Sequence, residues 1–447
     1  MLQCTTIDIC PSKSGLDNCS VALSPRCRWR AHCYLNGLNC GSTLPIQKQN
    51  LLYPYMCGVN IEHSEADQCE EAALYDDGTI DSVDPLIVNL REQKLYPSPI
   101  CKLRSHFYEN IVQKHDRGVS VTPVGLVFDR HHGYIPLYGG DRVWGLFTPN
   151  EAEKMMWALT SAIFPVNLEN KQSFSNGPYS NGPYGDIFDA LTNDADQKTL
   201  GSYRIIMPVG DVDFSRGFAS RLQQYVNDGG AVILNTGNLA DRNLFPESFL
   251  GCKLTSTVKT ARSAFSRLNN SFIVEDANYE YTCVEPSKAK VLAVTADSSC
   301  APLFLVNEYG AGRVILTTPL FLKEPGSKKM LRLFDNLMQA VRKESLPVKV
   351  ETPMEYLINR NKKGWVVSLF NNHGIPPTCG TFKTPPQVDA TQVRKAVITL
   401  PAALGKVKEV RSWWDDKKLD FKASDKETTL EVDIPGGGAE VFEFIME

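Results

Sequence analysis

The chain has 447 residues, 43% of them hydrophobic, and a formal net charge of −4. That length accommodates two or three domains with sizeable cores, and the charge argues against a general nucleic-acid binder. No apolar run approaches the ~18 residues of a membrane-spanning helix. The first residues lack the basic-then-apolar pattern of a secretory signal, so a native N-terminus implies a cytoplasmic protein.

Residues 1–50 show no helical or strand periodicity and are expected to form an irregular, cysteine-rich segment. Most of the 13 cysteines lie between Cys4 and Cys101. No CxxC pair accompanies them, so neither a disulfide scaffold nor a metal site is expected. Residues 51–62, LLYPYMCGVNIE, form an apolar run ending in polar residues, the pattern of an interior barrel strand and the loop after it. Residues 63–99 are acidic and rich in turn formers. Residues 101–117 read as a helix with Leu103, Phe107, Ile111 and Val112 on one face and Gly118 as its stop.

Val121–Phe128 reads as a strand running into Asp129-Arg130-His131-His132-Gly133-Tyr134. Thr148-Pro149-Asn150-Glu151 is a capping box that opens a helix. Residues 175–184 duplicate SNGPY in tandem, an exposed loop whose Tyr179 and Tyr184 are candidates for stacking on a sugar. Arg204–Val209 is a short buried strand. Phe214, Phe218, Leu222, Tyr225 and Val226 share a helix face. Gly229-Gly230 end that helix and Ala231–Leu234 is the next strand. A strand–helix–strand unit of this length is a right-handed crossover in a parallel sheet. Residues 240–300 are expected to add short strands, Gly312–Pro319 another buried strand, and 327–343 an amphipathic helix. Leu346-Pro347 breaks the pattern. Beyond it, Met354–Asn359, Trp365–Phe370, Ala396–Leu400, Val407–Trp414, Thr429–Ile434 and Glu440–Ile445 follow at the spacing of a small all-β sandwich.

Three clusters carry candidate chemistry. Glu62, His63 and Glu65 follow the first apolar run. Catalytic groups of a (β/α)₈ barrel stand at strand C-termini, and a glycosidase needs two carboxyl groups. Glu62 is the better candidate and Glu65 the second, against the alternative of surface acids in a solvated loop. Asp129, His131 and His132 could line a pocket, with His63. Adjacent histidines diverge, so a satisfied cluster is favoured over a metal site. Trp365, Trp413 and Trp414 are read as packing rather than a sugar platform. Neither GxGxxG nor GxxxxGK[ST] occurs, so no cofactor is expected.

The α/β segment resembles the class I glutamine-amidotransferase-like fold. The turn that would hold that fold's cysteine nucleophile is Asn235-Thr236-Gly237-Asn238, and no histidine lies between His132 and His373. The segment is therefore expected to be structural. The order of a barrel-strand glutamate segment (51–65), an α/β domain without its nucleophilic cysteine and a C-terminal β domain resembles the back portion of the glycosidase clan that includes family 42 β-galactosidases. The resemblance implies an α/β chain in four parts. These are the irregular segment 1–50, an incomplete (β/α) barrel remnant at 51–118, a flavodoxin-like parallel-sheet domain at 119–346 and a β-sandwich at 347–447. It implies hydrolysis of O-glycosidic bonds, a carbohydrate substrate and a trimer. Only about 120 residues precede the second domain, against the ~200–250 of a full barrel. Weak activity or none is expected from the chain alone, with a non-catalytic carbohydrate-binding or assembly protein as the alternative. A small-molecule sensor is a weaker third.

Overall fold

The computed structural model describes residues 44–58, 99–130, 184, 187–209, 212–239, 244–319, 330–375 and 388–447. The first element is not a strand. Helix α1 spans Leu44–Met56. Gln49, Leu52, Tyr53 and Met56 are buried on one side of it, at the spacing of a helix rather than a strand. A run of Leu51-Leu52-Tyr53 suits either element by hydrophobicity; packing decides for the helix, and the part of 1–50 from Leu44 onward is helical with it. Helix α2, Pro99–His106, continues as a π-helical turn over Phe107–Val112. Phe107 and Ile111 are buried, with Leu103 and Val112 packed beside them, which is the face expected from the sequence. Gly118 turns the chain at φ +66°. A Cβ there would lie 2.1 Å from the carbonyl oxygen of Arg360. Strand β1, Val119–Ser120, pairs with Asn359–Arg360.

The central domain follows in chain order: β2 (Val124–Phe128), β3 (Phe188–Thr192), α3 (Gln197–Leu200), β4 (Ile205–Pro208), α4 (Arg216–Asn227), β5 (Ala231–Asn235), α5 (Glu247–Leu250), β6 (Cys252–Ser266), β7 (Ser271–Pro286), β8 (Lys290–Thr295), β9 (Pro302–Tyr309), β10 (Gly312–Thr317) and α6 (Arg332–Ser345). The strands form one nine-stranded sheet in the order β3-β2-β4-β5-β10-β9-β8-β6-β7. The first five are parallel. Counted among themselves along the chain they lie in the order 2-1-3-4-5, the doubly wound flavodoxin-like arrangement. Strands β2, β4 and β5 are buried throughout because both faces of the sheet are covered. One face packs on α6, through Phe334, Leu337, Met338 and Val341. The other packs on α4 and α5, through Phe218, Leu222, Val226 and Phe249.

Helix α4 forms where its pattern predicts. The Ser215 hydroxyl accepts the N–H of Phe218 at 3.2 Å, the expected apolar face is buried, and Gly229 exits at φ +110°. The expectation of short strands over 240–300 holds for β8 alone. Strands β6 and β7 form a long hairpin of 15 and 16 residues. Its alternating polar positions face solvent, so its hydrophobicity is too low to announce so long an element.

The C-terminal domain is the expected two-layer sandwich. Its strands are β11 (Lys349–Glu351), β12 (Glu355–Arg360), β13 (Gly364–Phe370), β14 (Arg394–Pro401), β15 (Val407–Ser412), β16 (Lys417–Leu419), β17 (Lys422–Ala423), β18 (Glu427–Ile434) and β19 (Ala439–Met446). One sheet runs β1-β12-β13-β19-β15-β16 and the other β11-β14-β18-β17. Pro435–Gly438 carries the chain from one layer to the other. Ile358, Val367, Ile398, Leu430 and Phe444 fill the space between the layers. The outer face of the larger sheet is covered too: Leu52, Tyr53, Phe107 and Ile111 of α1 and α2 sit on Leu357, Val366, Phe370 and Val441. This is why all seven residues of β13 are buried. The Arg342 guanidinium of α6 donates to the Tyr356 hydroxyl of β12 at 2.7 Å and joins the two domains.

Candidate functional site

In an open parallel sheet, ligands bind beyond the carboxyl ends of the strands, where the strand order reverses. Here that place lies between β2 and β4. Asp129 directly follows β2 and is 4% exposed. Its Oδ2 accepts the side-chain N–H of Asn193, which directly follows β3, at 2.8 Å. The same oxygen accepts the backbone N–H of Asp213, between β4 and α4, at 2.9 Å. Asn193 Nδ2 also donates to the carbonyl of Asp213 at 3.1 Å, and the Arg221 guanidinium of α4 donates to the Asn193 carbonyl at 3.3 Å. One carboxylate thus ties three strand ends together at the switch point. Bonds of this charge-assisted kind are stronger than neutral ones.

The neighbouring strand end is tied as tightly. Asn235, 1% exposed, donates through Nδ2 to the Thr317 hydroxyl at 2.9 Å and to the Pro319 carbonyl at 2.6 Å. Its Oδ1 accepts the N–H of Gly237 at 2.8 Å. The Thr236 hydroxyl donates to the Thr318 carbonyl at 3.1 Å. At this turn the chain has an amide that cross-links β5 to the end of β10. Cys252, in the core beneath, has its thiol pushed up to about 12, by burial first and by Glu247 second. A thiol of that kind is a packing group at neutral pH.

Of the residues singled out from the sequence, Glu62, His63, Glu65, His131, His132 and Tyr179 lie outside the described residues. So does the capping box at Thr148. Asp129 is described, and it accepts the bonds from Asn193 and Asp213 given above. Tyr184 is not on an exposed loop: it is 2% exposed, packs under α6, and donates to Asp335 at 2.9 Å. The tryptophans are packing groups. Trp413 is buried and Trp365 nearly so; the Arg360 guanidinium lies 4.8 Å over the Trp365 ring. Trp414 is covered by His106 and Lys48. Among the described residues, no three His, Cys, Asp or Glu side chains gather as a metal would need. The sequence reading missed Asn193 and Asp213 as partners of Asp129. The available signal was positional, since Asp129, Asn193 and Asn235 each stand at or next to the last residue of a parallel strand.

No protein-family model matches the sequence, and no curated protein does. Solved structures do. The α-L-fucosidase isoenzyme 2 of Paenibacillus thiaminolyticus is similar at a TM-score of 0.52 and 13% identity, over 78% of this chain and 52% of that one. A β-galactosidase of Bacillus circulans sp. alkalophilus gives 0.43 and 13%, over 83% and 46%. The GH42 β-galactosidase Gan42B of G. stearothermophilus gives 0.42 and 13%, over 83% and 45%. The chain therefore spans about half the length of these proteins, and the likeness is one of fold: a coarse glycoside-hydrolase-like arrangement.

Proposed function

We propose that this chain is a glycoside-hydrolase-like protein whose described domains are the scaffold behind a carboxylate site. The supporting observation is the order of the domains. A doubly wound sheet with its strand ends closed by hydrogen bonds is followed by a two-layer β-sandwich, and the chain is similar in fold to the fucosidase. The parallel domain, without a cysteine at its 235–238 turn, then corresponds to the amidotransferase-like unit that the sequence resembles, and a trimer built on it is part of the same proposal. The chemistry is hydrolysis of an O-glycosidic bond. One carboxyl group protonates the leaving oxygen and a second attacks or activates water. Glu62 is assigned as one of them and Glu65 as its neighbour. His63, Asp129, His131 and His132 are assigned to the substrate side.

Purified chain should be assayed on a panel of aryl glycosides beside Glu62→Gln. Slow release of the aryl group is expected, lost in Glu62→Gln. Turnover that survives Glu62→Gln removes that residue from the mechanism. Wild-type chain that neither hydrolyses nor saturably binds any member of the panel refutes the glycosidase reading. It would establish the second one, a non-catalytic assembly protein. The bonds that tie Asn235 to Thr317, Pro319 and Gly237 favour that alternative, because they make a packing group of the residue at that strand end.

A further inference from the structure

The two helices on the outer face of the sandwich are held by an unusual pairing. Trp413 and Trp414 follow β15, and each is covered by one histidine of the α2 segment. The His115 ring stacks on Trp413, 4.6 Å between centroids and 16° between planes. The His106 ring lies on Trp414 at 4.7 Å and 43°. Beneath Trp413 sits Glu443, 1% exposed. It accepts the Trp413 indole N–H at 3.2 Å and the Asn361 amide at 2.7 Å. His115 Nδ1 is 3.9 Å from Glu443, too far for a hydrogen bond. The His115 side chain is 7% exposed, and neither of its ring nitrogens has a hydrogen-bond partner.

His106 is tied at both ring nitrogens. Lys114 donates to Asn110 Oδ1 at 2.6 Å, Asn110 Nδ2 lies 3.2 Å from His106 Nδ1, and His106 Nε2–H donates to the Trp414 carbonyl at 3.0 Å.

We propose that α1 and α2 form a proton-sensitive clasp on the sandwich, seated while the His115 ring is neutral and lifting more often once it takes up a proton. The charges around that ring set the direction. His115 faces Glu443 of β19, Asp416 and Arg411 of the β15–β16 hairpin, and Lys363 of the β12–β13 turn, with Lys114 and Asp116 on its own segment. Burial is the largest influence and holds the His115 pKa below its ordinary value; Glu443 and Asp416 oppose this and Lys363 and Arg411 add to it. Lys48 of α1 lies 4.0 Å over the Trp414 ring and pairs with Glu440 at 2.7 Å. A folded pKa below the free value means the lifted state takes the proton more readily. The seating contributed by His115 is thus complete above about pH 6.5 and declines as the pH falls through the lowered value. Leu51, Leu52, Tyr53, Met56, Phe107 and Ile111 also pack against the sheet, through apolar contacts that carry no carboxyl or imidazole group. The response is therefore a change in the frequency of opening, and it transiently uncovers Leu357, Val366, Phe370 and Val441.

Amide hydrogen exchange on the full chain tests this, at about pH 8 and about pH 5 with intrinsic rates divided out. Amides of 44–56 and 103–115 are expected to lose protection by about tenfold or more relative to β5 and β10. In His115→Phe, which keeps the stacked ring and removes its titration, the pH response is expected to vanish. Equal changes in the helices and in β5 and β10 would overturn the clasp, as would a response that persists in His115→Phe. Should that variant fail to fold, NMR titration of the wild-type histidine rings decides. The midpoint of His115 must coincide with the loss of protection, and a separate midpoint refutes the proposal.

Discussion

Asn235→Ala is the sharpest probe of the claim that the central domain is scaffold. The substitution removes one donated bond to the Thr317 hydroxyl, one to the Pro319 carbonyl and one accepted from Gly237. Thr317 keeps its own bond to the Leu234 carbonyl at 3.1 Å, and Gly237 is exposed, so water replaces that partner. The Pro319 carbonyl is different: Pro319 is buried, and its oxygen loses the amide that reaches it. An orphaned buried acceptor costs ~1–3 kcal/mol and an ordinary bond ~1 kcal/mol net, so the total is about 3 kcal/mol. That corresponds to about a hundredfold increase in the opening of the β5–β10 pair. Hydrogen exchange of the amides of Ala231–Asn235 and Gly312–Thr317 reads it directly. Asn235→Asp, which keeps the oxygen for Gly237 and loses the donor, should recover part of the effect at most. A loss below ~0.5 kcal/mol, within the range of neutral surface changes, would refute the reasoning and return this turn to the list of reactive sites.

Other consequences can be measured independently. Gly118→Ala forces a left-handed φ on a residue whose Cβ meets the Arg360 carbonyl, and should cost ~1–3 kcal/mol, seen as lost protection along β12. Lys395 first and Lys422 second hold the Glu431 carboxyl down to about 2. Because the folded value is depressed, the stability this group contributes is present above about pH 4.5 and is lost as the pH falls through about 2. An NMR titration of Lys395→Ala should show the midpoint of Glu431 climbing toward the ordinary range, and an unmoved midpoint would refute the pairing. Native-state alkylation followed by peptide mapping should modify exposed Cys300 quickly and buried Cys252 only after unfolding. Rapid labelling of Cys252 would contradict its place in the core.

The elements legible in the sequence are those whose local pattern admits one answer. Helix α4 carries its own cap at Ser215, a five-residue apolar face and a glycine exit, so its formation needs no distant partner to explain it. Strands β2, β4 and β5 are short unbroken apolar runs between turn formers, and only a sheet covered on both faces has use for them. The sandwich strands show the same economy. Helix α1 has no such signature. Pro54 interrupts it, its first turn bears no acidic residue, and Leu51-Leu52-Tyr53 serves a strand equally well. The hairpin of β6 and β7 hides for the opposite reason, since a half-exposed edge is mostly polar.

The candidate sites divide along the same line. That residues 235–238 carry no thiol, and that no histidine stands near them in the sequence, is plain from the letters alone. That Asn235 instead bolts β5 to β10, that Asp129 gathers Asn193 and Asp213, and that two histidines lie on two tryptophans more than 290 residues away are facts of tertiary structure. Sequence fixes periodicity, because period 2 and period 3.6 are local properties of the backbone. A hydrogen bond between strand ends depends on the register and order in which strands join a sheet, and residues far apart along the chain acquire that relation only when the core has formed.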